Sequence, residues 1–137
     1  MSGLVVLDNE AIQALADPAH RKHRQVVSQA QVVASRKRRA AAIEIVVPTA
    51  VRVEAGWDRT SPAWAFPNRL RIADIPLDTA RASAAAAIRH RTRVSVADAH
   101  LGAVIQSAAP GQVTVVTSDP GDMRLVAGDR DITVVAI

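Results

Sequence analysis

Four short apolar runs constrain this fold more than any other feature: "GLVVL" (Gly3–Leu7), "EIVVP" (Glu44–Pro48), "VTVVT" (Val113–Thr117) and "ITVVAI" (Ile132–Ile137). Each is shorter than an ordinary helix and shows little polar alternation. Such runs read as strands covered on both faces, the pattern of a parallel sheet inside an α/β domain.

The segments between them read mainly as helices. "NEAIQALAD" turns Ile12, Leu15 and Ala16 inward and stops at Asp17-Pro18. A longer helix is predicted from His20 to about Ala42, with Val26, Val27, Ala30, Val33 and Ala34 at helical spacing. Pro48 and Thr49 punctuate the start of a helix through "AVRVEAGW", which places Glu54 in its first turns. "DRTSPAWAFPNR" has two prolines and no periodicity, so it reads as a loop. "LRIADIPL" alternates and is taken as a further strand. Helices follow in "DTARASAAAAIRH", in "SVADAHLGAVIQSAA" up to Pro110-Gly111, and in "PGDMRLVAG" up to Gly128. Strand and helix alternate throughout, which predicts a three-layer α/β/α domain on a mainly parallel five-stranded sheet.

With 137 residues the chain is the usual size of one domain, taken as 1–137. Hydrophobic residues make up 49% and aromatics 2%, so the core must be built from Ala, Val, Leu and Ile. No apolar run approaches the ~20 residues that span a bilayer, and "MSGLVVLDNE" is too briefly apolar for a signal peptide. There is no cysteine, which excludes disulfides and thiolate metal sites. These features predict a cytoplasmic protein with no membrane partner.

The net charge of +4 is unevenly placed. Arg21, Lys22, Arg24, Arg36, Lys37, Arg38 and Arg39 fall within one stretch that holds no acid. Either this is a solvated helix face or it meets a polyanion.

Four acids stand where chemistry could occur. Asp8 ends the first strand and Asp119 follows "VTVVT", and sites in open parallel sheets form at such strand ends. Glu54 and Asp98 lie on helices. Each also has a structural reading. Asp8 and Asp119 suit helix N-caps, "SVAD" has the form of a capping box, and Asp122 suits the positive end of a helix dipole. Taken singly, the caps account for all of them except Glu54.

The four together carry a resemblance. "VVLDNEAIQAL", "IVVPTAVRVEAG", "VSVADAHLGAVI" and "VTVVTSDPGDMRLV" resemble, in order and spacing, the four motifs of PIN-domain nucleases. The layout is most similar to VapC-type toxins of bacterial toxin–antitoxin pairs. That resemblance implies a PIN-like sheet of five parallel strands. It also implies that Asp8, Glu54, Asp98 and Asp119 converge in one pocket, with Asp122 as a further ligand and Thr117 in support. Asn9 and Glu10 depart from the pattern, since family members commonly carry Ser or Thr near the first Asp.

Clustered carboxylates repel one another unless a cation lies between them. An oxygen-only donor set favours Mg²⁺ or Mn²⁺, which can serve both sides of a phosphodiester displacement. The resemblance therefore implies a metal-dependent endoribonuclease with an antitoxin partner and a homodimeric state. Arg21, Lys22, Arg24, the Arg36–Arg39 cluster, Arg89, Arg91 and Arg93 are candidates for holding RNA phosphates. His20, His23, His90 and His100 read as structural or solvated. Two alternatives remain: a PIN-like domain that binds RNA or protein without cutting, and a signalling receiver domain. The receiver is less apt because the only lysines are Lys22 and Lys37, neither of them late in the chain.

Overall fold

The computed structural model describes residues 2–38 and 42–137. All five apolar segments form strands: β1 (Ser2–Leu7), β2 (Ala42–Pro48), β3 (Ala73–Ile75), β4 (Gln112–Thr117) and β5 (Thr133–Ala136). They pair in the order β3-β2-β1-β4-β5, and every pairing is parallel. The helices are α1 (Asn9–Ala16), α2 (His23–Arg38), α3 (Thr49–Ala55), α4 (Ala65–Asn68), α5 (Thr79–Thr92), α6 (Val96–Ser107) and α7 (Pro120–Ala127).

Three sequence expectations change in extent. The helix expected from His20 to about Ala42 runs from His23 to Arg38, and Ala42 already belongs to β2. The segment expected to be a loop contains a 3-10 turn at Pro62–Trp64 and the short α4. Its order comes from side chains rather than periodicity. Trp57 donates to Asn68 at 2.8 Å, Asn68 donates to the Arg59 carbonyl at 2.9 Å, and the rings of Trp57 and Trp64 stack. The strand expected across "LRIADIPL" is only three residues long. Arg71, just before it, has a φ of 55°, a left-handed conformation that breaks the extended chain.

The core is aliphatic. Val6, Val46 and Val115 are fully buried in the three central strands. Helix α6 packs between α5 and α7, and also contacts α3 and β2. Its approach to α7 depends on Gly102, where a Cβ would lie 2.7 Å from the Cβ of Val126 and 2.8 Å from its carbonyl oxygen. On the other face, Leu15 of α1 and Val26 of α2 close over Val5, Ile45 and Val116.

The strand order fixes where a site can form. From β1 the chain passes to β2 and β3 on one side, then crosses to β4 on the other. Strands β1 and β4 therefore flank the topological switch point, where the loops diverge and leave a crevice at the C-terminal strand ends.

Candidate active site

Asp8 and Thr117 follow directly from that topology. Leu7 pairs with Val116, so the next residue of each strand emerges side by side at the switch point. The amide of Asp8 still bonds the Val116 carbonyl at 3.1 Å, which continues the ladder by one residue. Asp8 is buried, and both carboxylate oxygens are engaged. Its Oδ1 accepts the Asn9 amide at 2.7 Å and its Oδ2 accepts the Thr117 hydroxyl at 2.7 Å. Thr117 Oγ1 in turn accepts the Asp119 amide at 2.9 Å. A fully buried threonine thus links the first acid to the last.

The caps expected from sequence all form. Asp8 caps α1, Ser95 accepts the amide of Asp98 at 3.1 Å, and Asp119 caps α7 by accepting the amide of Asp122 at 3.2 Å. Capping and clustering are compatible: Asp119 caps through Oδ1 alone, and Asp8, though both its oxygens accept a hydrogen bond, keeps a further lone pair on each. Three helix N-termini meet at this edge, so their amide ends create positive potential there.

Asp98 is where the acids register one another. Its carboxyl is pushed up to about 6, first by burial and then by the negative charges of Asp8, Asp122 and Glu54. Asp122 is also raised, by burial, by its hydrogen bond with Asp119, and by the charges of Asp119 and Asp8. Five carboxylates from β1, α3, α6 and the β4–α7 turn therefore share one electrostatic environment. Among the described residues, no three of them already close on a common point as a cation would require.

Glu54 reaches the cluster differently from the expectation. It sits in the last turn of α3, not its first turns, one residue before Ala55 and the left-handed Gly56. Its carboxylate is exposed and accepts the Asn9 side-chain amide at 3.0 Å. Glu10 turns away to contact His20 Nε2 at 3.2 Å and to pair with the Lys22 ammonium at 3.5 Å.

His100 is fully buried, and its Nδ1 accepts the Ala50 amide at 3.2 Å. This bond satisfies an orphan N–H in the first turn of α3 and ties α3 to α6, the helices that carry Glu54 and Asp98. Burial foremost holds its pKa below the usual imidazole value, so the ring is neutral.

The basic residues divide between the two ends of the sheet. Arg21, Lys22 and Arg24 lie near the start of α2, next to Glu10 and hence at the carboxylate end. Arg93 is exposed just before Ser95, at that same end, whereas Arg91 lines a surface pocket with Gln106, Gly128 and Asp129 at the far ends of α6 and α7, and Arg89 donates to the Val94 carbonyl. Arg36, Lys37 and Arg38 end α2 shortly before Ala42, which pairs with Ser2 at the opposite end. Arg39 falls outside the described residues.

No protein-family model matches the chain, and no curated protein matches it in sequence. Two solved structures share its architecture. One is the structure of FitAB bound to an IR36 DNA fragment, with 17% identity and a TM-score of 0.56 over 96% of this chain and 94% of that one. The other is the crystal structure of FitAcB from Neisseria gonorrhoeae, with 17% identity and a TM-score of 0.56 over 95% of each chain. A likeness at that identity is one of fold, and it agrees with the strand order and the acid-lined switch point: the chain has a PIN-like α/β fold.

Proposed function

We propose that this chain is a metal-dependent endoribonuclease, the toxin of a toxin–antitoxin pair. The observation that carries the reading is geometric: at the switch point of a parallel sheet Thr117 bonds both Asp8 and the Asp119 backbone, and Asn9 bonds both Asp8 and Glu54, so acids from separate elements gather at one edge. Capping alone gives no reason for acids from four separate elements to crowd together against their own repulsion. The donor set fits Mg²⁺ or Mn²⁺: it is all carboxylate oxygen, and a divalent cation relieves the repulsion that lifts Asp98.

In this reading Asp8, Asp98 and Asp119 hold the ion, Asp122 adds a further oxygen, and Glu54 holds the ion or orients the attacking water. The bound ion supplies an activated water and a Lewis acid for the leaving oxygen. Thr117 keeps Asp8 and the Asp119 backbone in register. Arg93, with Arg21 and Arg24, holds the phosphates flanking the scissile bond. The products follow from the resemblance to PIN-domain nucleases: a 5′-phosphate and a 3′-hydroxyl. From the same resemblance we read an antitoxin that covers the pocket and a homodimeric toxin. The FitAB structure, which holds a DNA fragment, supports assembly with other macromolecules.

The test is cleavage of a mixed RNA pool by partner-free protein with Mn²⁺, with chelator and Asp98→Asn as controls. Cleavage lost in both controls, with 5′-phosphate ends, supports the reading. A folded protein that leaves RNA intact under every condition points instead to a domain that binds without cutting.

A further inference from the structure

We propose that Asn9 is a positioning residue that fixes the Glu54 carboxylate relative to Asp8. This rests on the nuclease reading above.

Glu54 needs such a partner more than the other acids do. Asp8 is buried and held by two hydrogen bonds. Asp119 is tied down as the cap of α7. Glu54 has neither advantage. Its side chain is long and exposed, it lies in the last turn of a seven-residue helix, and the dipole there disfavours negative charge. Free in solvent, it would sample many rotamers, and fixing them costs entropy.

Asn9 supplies the restraint from 45 positions away in the chain. Its Nδ2 donates to Glu54 Oε1 at 3.0 Å, while its backbone amide donates to Asp8 Oδ1 at 2.7 Å. One residue therefore touches two carboxylates on two elements and sets the spacing between them. Its amide cannot turn over freely. Gln13, one helical turn along α1, donates to Asn9 Oδ1 at 2.9 Å, which leaves only the NH₂ end to face Glu54. The Asp8 contact is made by the backbone and is open to any residue but proline, so the side chain's own contribution is the bond to Glu54. The Asn at position 9 and the Glu at the end of α3 thus work as a matched pair.

An outer partner of a ligating carboxylate commonly changes ion affinity or activity by about 10- to 100-fold. The test titrates Mn²⁺ alone into the full chain by calorimetry and follows RNA cleavage in parallel. Five proteins are compared: the parent, Asn9→Ala, Asn9→Leu, Glu54→Gln and the double variant Asn9→Ala/Glu54→Gln. Asn9→Leu keeps about the size without the donor and adds no charge, so it separates positioning from packing. The proposal expects both Asn9 variants to bind Mn²⁺ about 10-fold or more weakly, and the double variant to bind no worse than Glu54→Gln. Parent-like Mn²⁺ binding and cleavage in the Asn9 variants overturns the positioning role alone. So do losses that simply add to those of Glu54→Gln, since additivity marks independent sites. A parent protein that neither binds Mn²⁺ nor cleaves RNA overturns the nuclease reading, and this role with it.

Discussion

Thr117 Oγ1 lies 2.7 Å from Asp8 Oδ2, a contact between residues 109 positions apart at the ends of adjacent strands. The same oxygen accepts the Asp119 amide, so one hydroxyl both donates to the site and receives from it. Thr117→Val keeps the shape and removes both bonds, leaving a buried Asp8 oxygen and a backbone N–H unpaired. Stability should fall by about 1–3 kcal/mol, and cleavage by about 10- to 100-fold. Thr117→Ser keeps the hydroxyl and should retain most of both. Urea denaturation and initial cleavage rates on the three proteins check this.

Asp98 gives the site a cost in folding stability. Its carboxyl titrates near 6 in the folded chain against 3.8 for the free group, so between these values the folded state holds the extra proton. Stability from this group is therefore highest below about pH 4, declines as pH rises through 6, and is lowest above it. Asp98→Asn removes the charge but not the volume. With solvent screening of a half-buried group allowed for, the variant should be more stable than the parent by about 1 kcal/mol at neutral pH. The two should converge in acid. Denaturant melts across the pH range measure the difference, and an Asn variant no more stable at neutral pH contradicts the crowding of acids around Asp98.

Gly102 permits the helix crossing that places α6. A methyl group there meets Val126 backbone and side chain inside 3.0 Å, and both partners are packed. Gly102→Ala should destabilise by about 1–3 kcal/mol or more through overpacking. Because α6 carries Asp98, the folded fraction should also cleave RNA more slowly. Thermal melts and activity normalised to folded protein report the two effects separately.

The two groups of basic residues predict different responses to charge removal. Arg93 lies at the carboxylate end and should contact a phosphate. Arg93→Ala, made in the Asp98→Asn background, should reduce the salt dependence of RNA affinity by about one unit of log–log slope. Arg36 lies one strand length away, about 20 Å, so Arg36→Ala should leave the cleavage rate unchanged. Fluorescence anisotropy over a salt series distinguishes them.

Much of this architecture is legible in the chain because parallel strands, buried on both faces, announce themselves as unbroken apolar runs. Asp8 and Asp119 are legible as strand-end caps, and Asp98 as the third residue after the Ser95 cap, whereas Glu54 carries no such local sign. What pattern reading misplaces are features set by long-range contacts. Local spacing put Glu54 in the first turns of its helix, whereas Gly56 ends α3 just beyond it. Asn9 looked like a departure from pattern, and only the folded chain shows it against Glu54. The order in the Trp57–Asn68 segment comes from an indole–amide bond and ring stacking that leave no periodic trace. His100 carries no local sign that it will bond Ala50, 50 residues earlier. The run from Arg21 to Arg39 reads as one basic patch, but α2 carries Arg24 and Arg38 to opposite ends of the strands.

The central claim is that Asp8, Glu54, Asp98, Asp119 and Asp122 form one cation site. Crystals soaked in Mn²⁺ and measured at its absorption edge test it most directly. The account predicts an anomalous peak at the switch point, bonded to Asp8 and Asp98 and absent in Asp98→Asn. Ordered carboxylates with no peak between them, or Mn²⁺ bound only elsewhere on the chain, would contradict it.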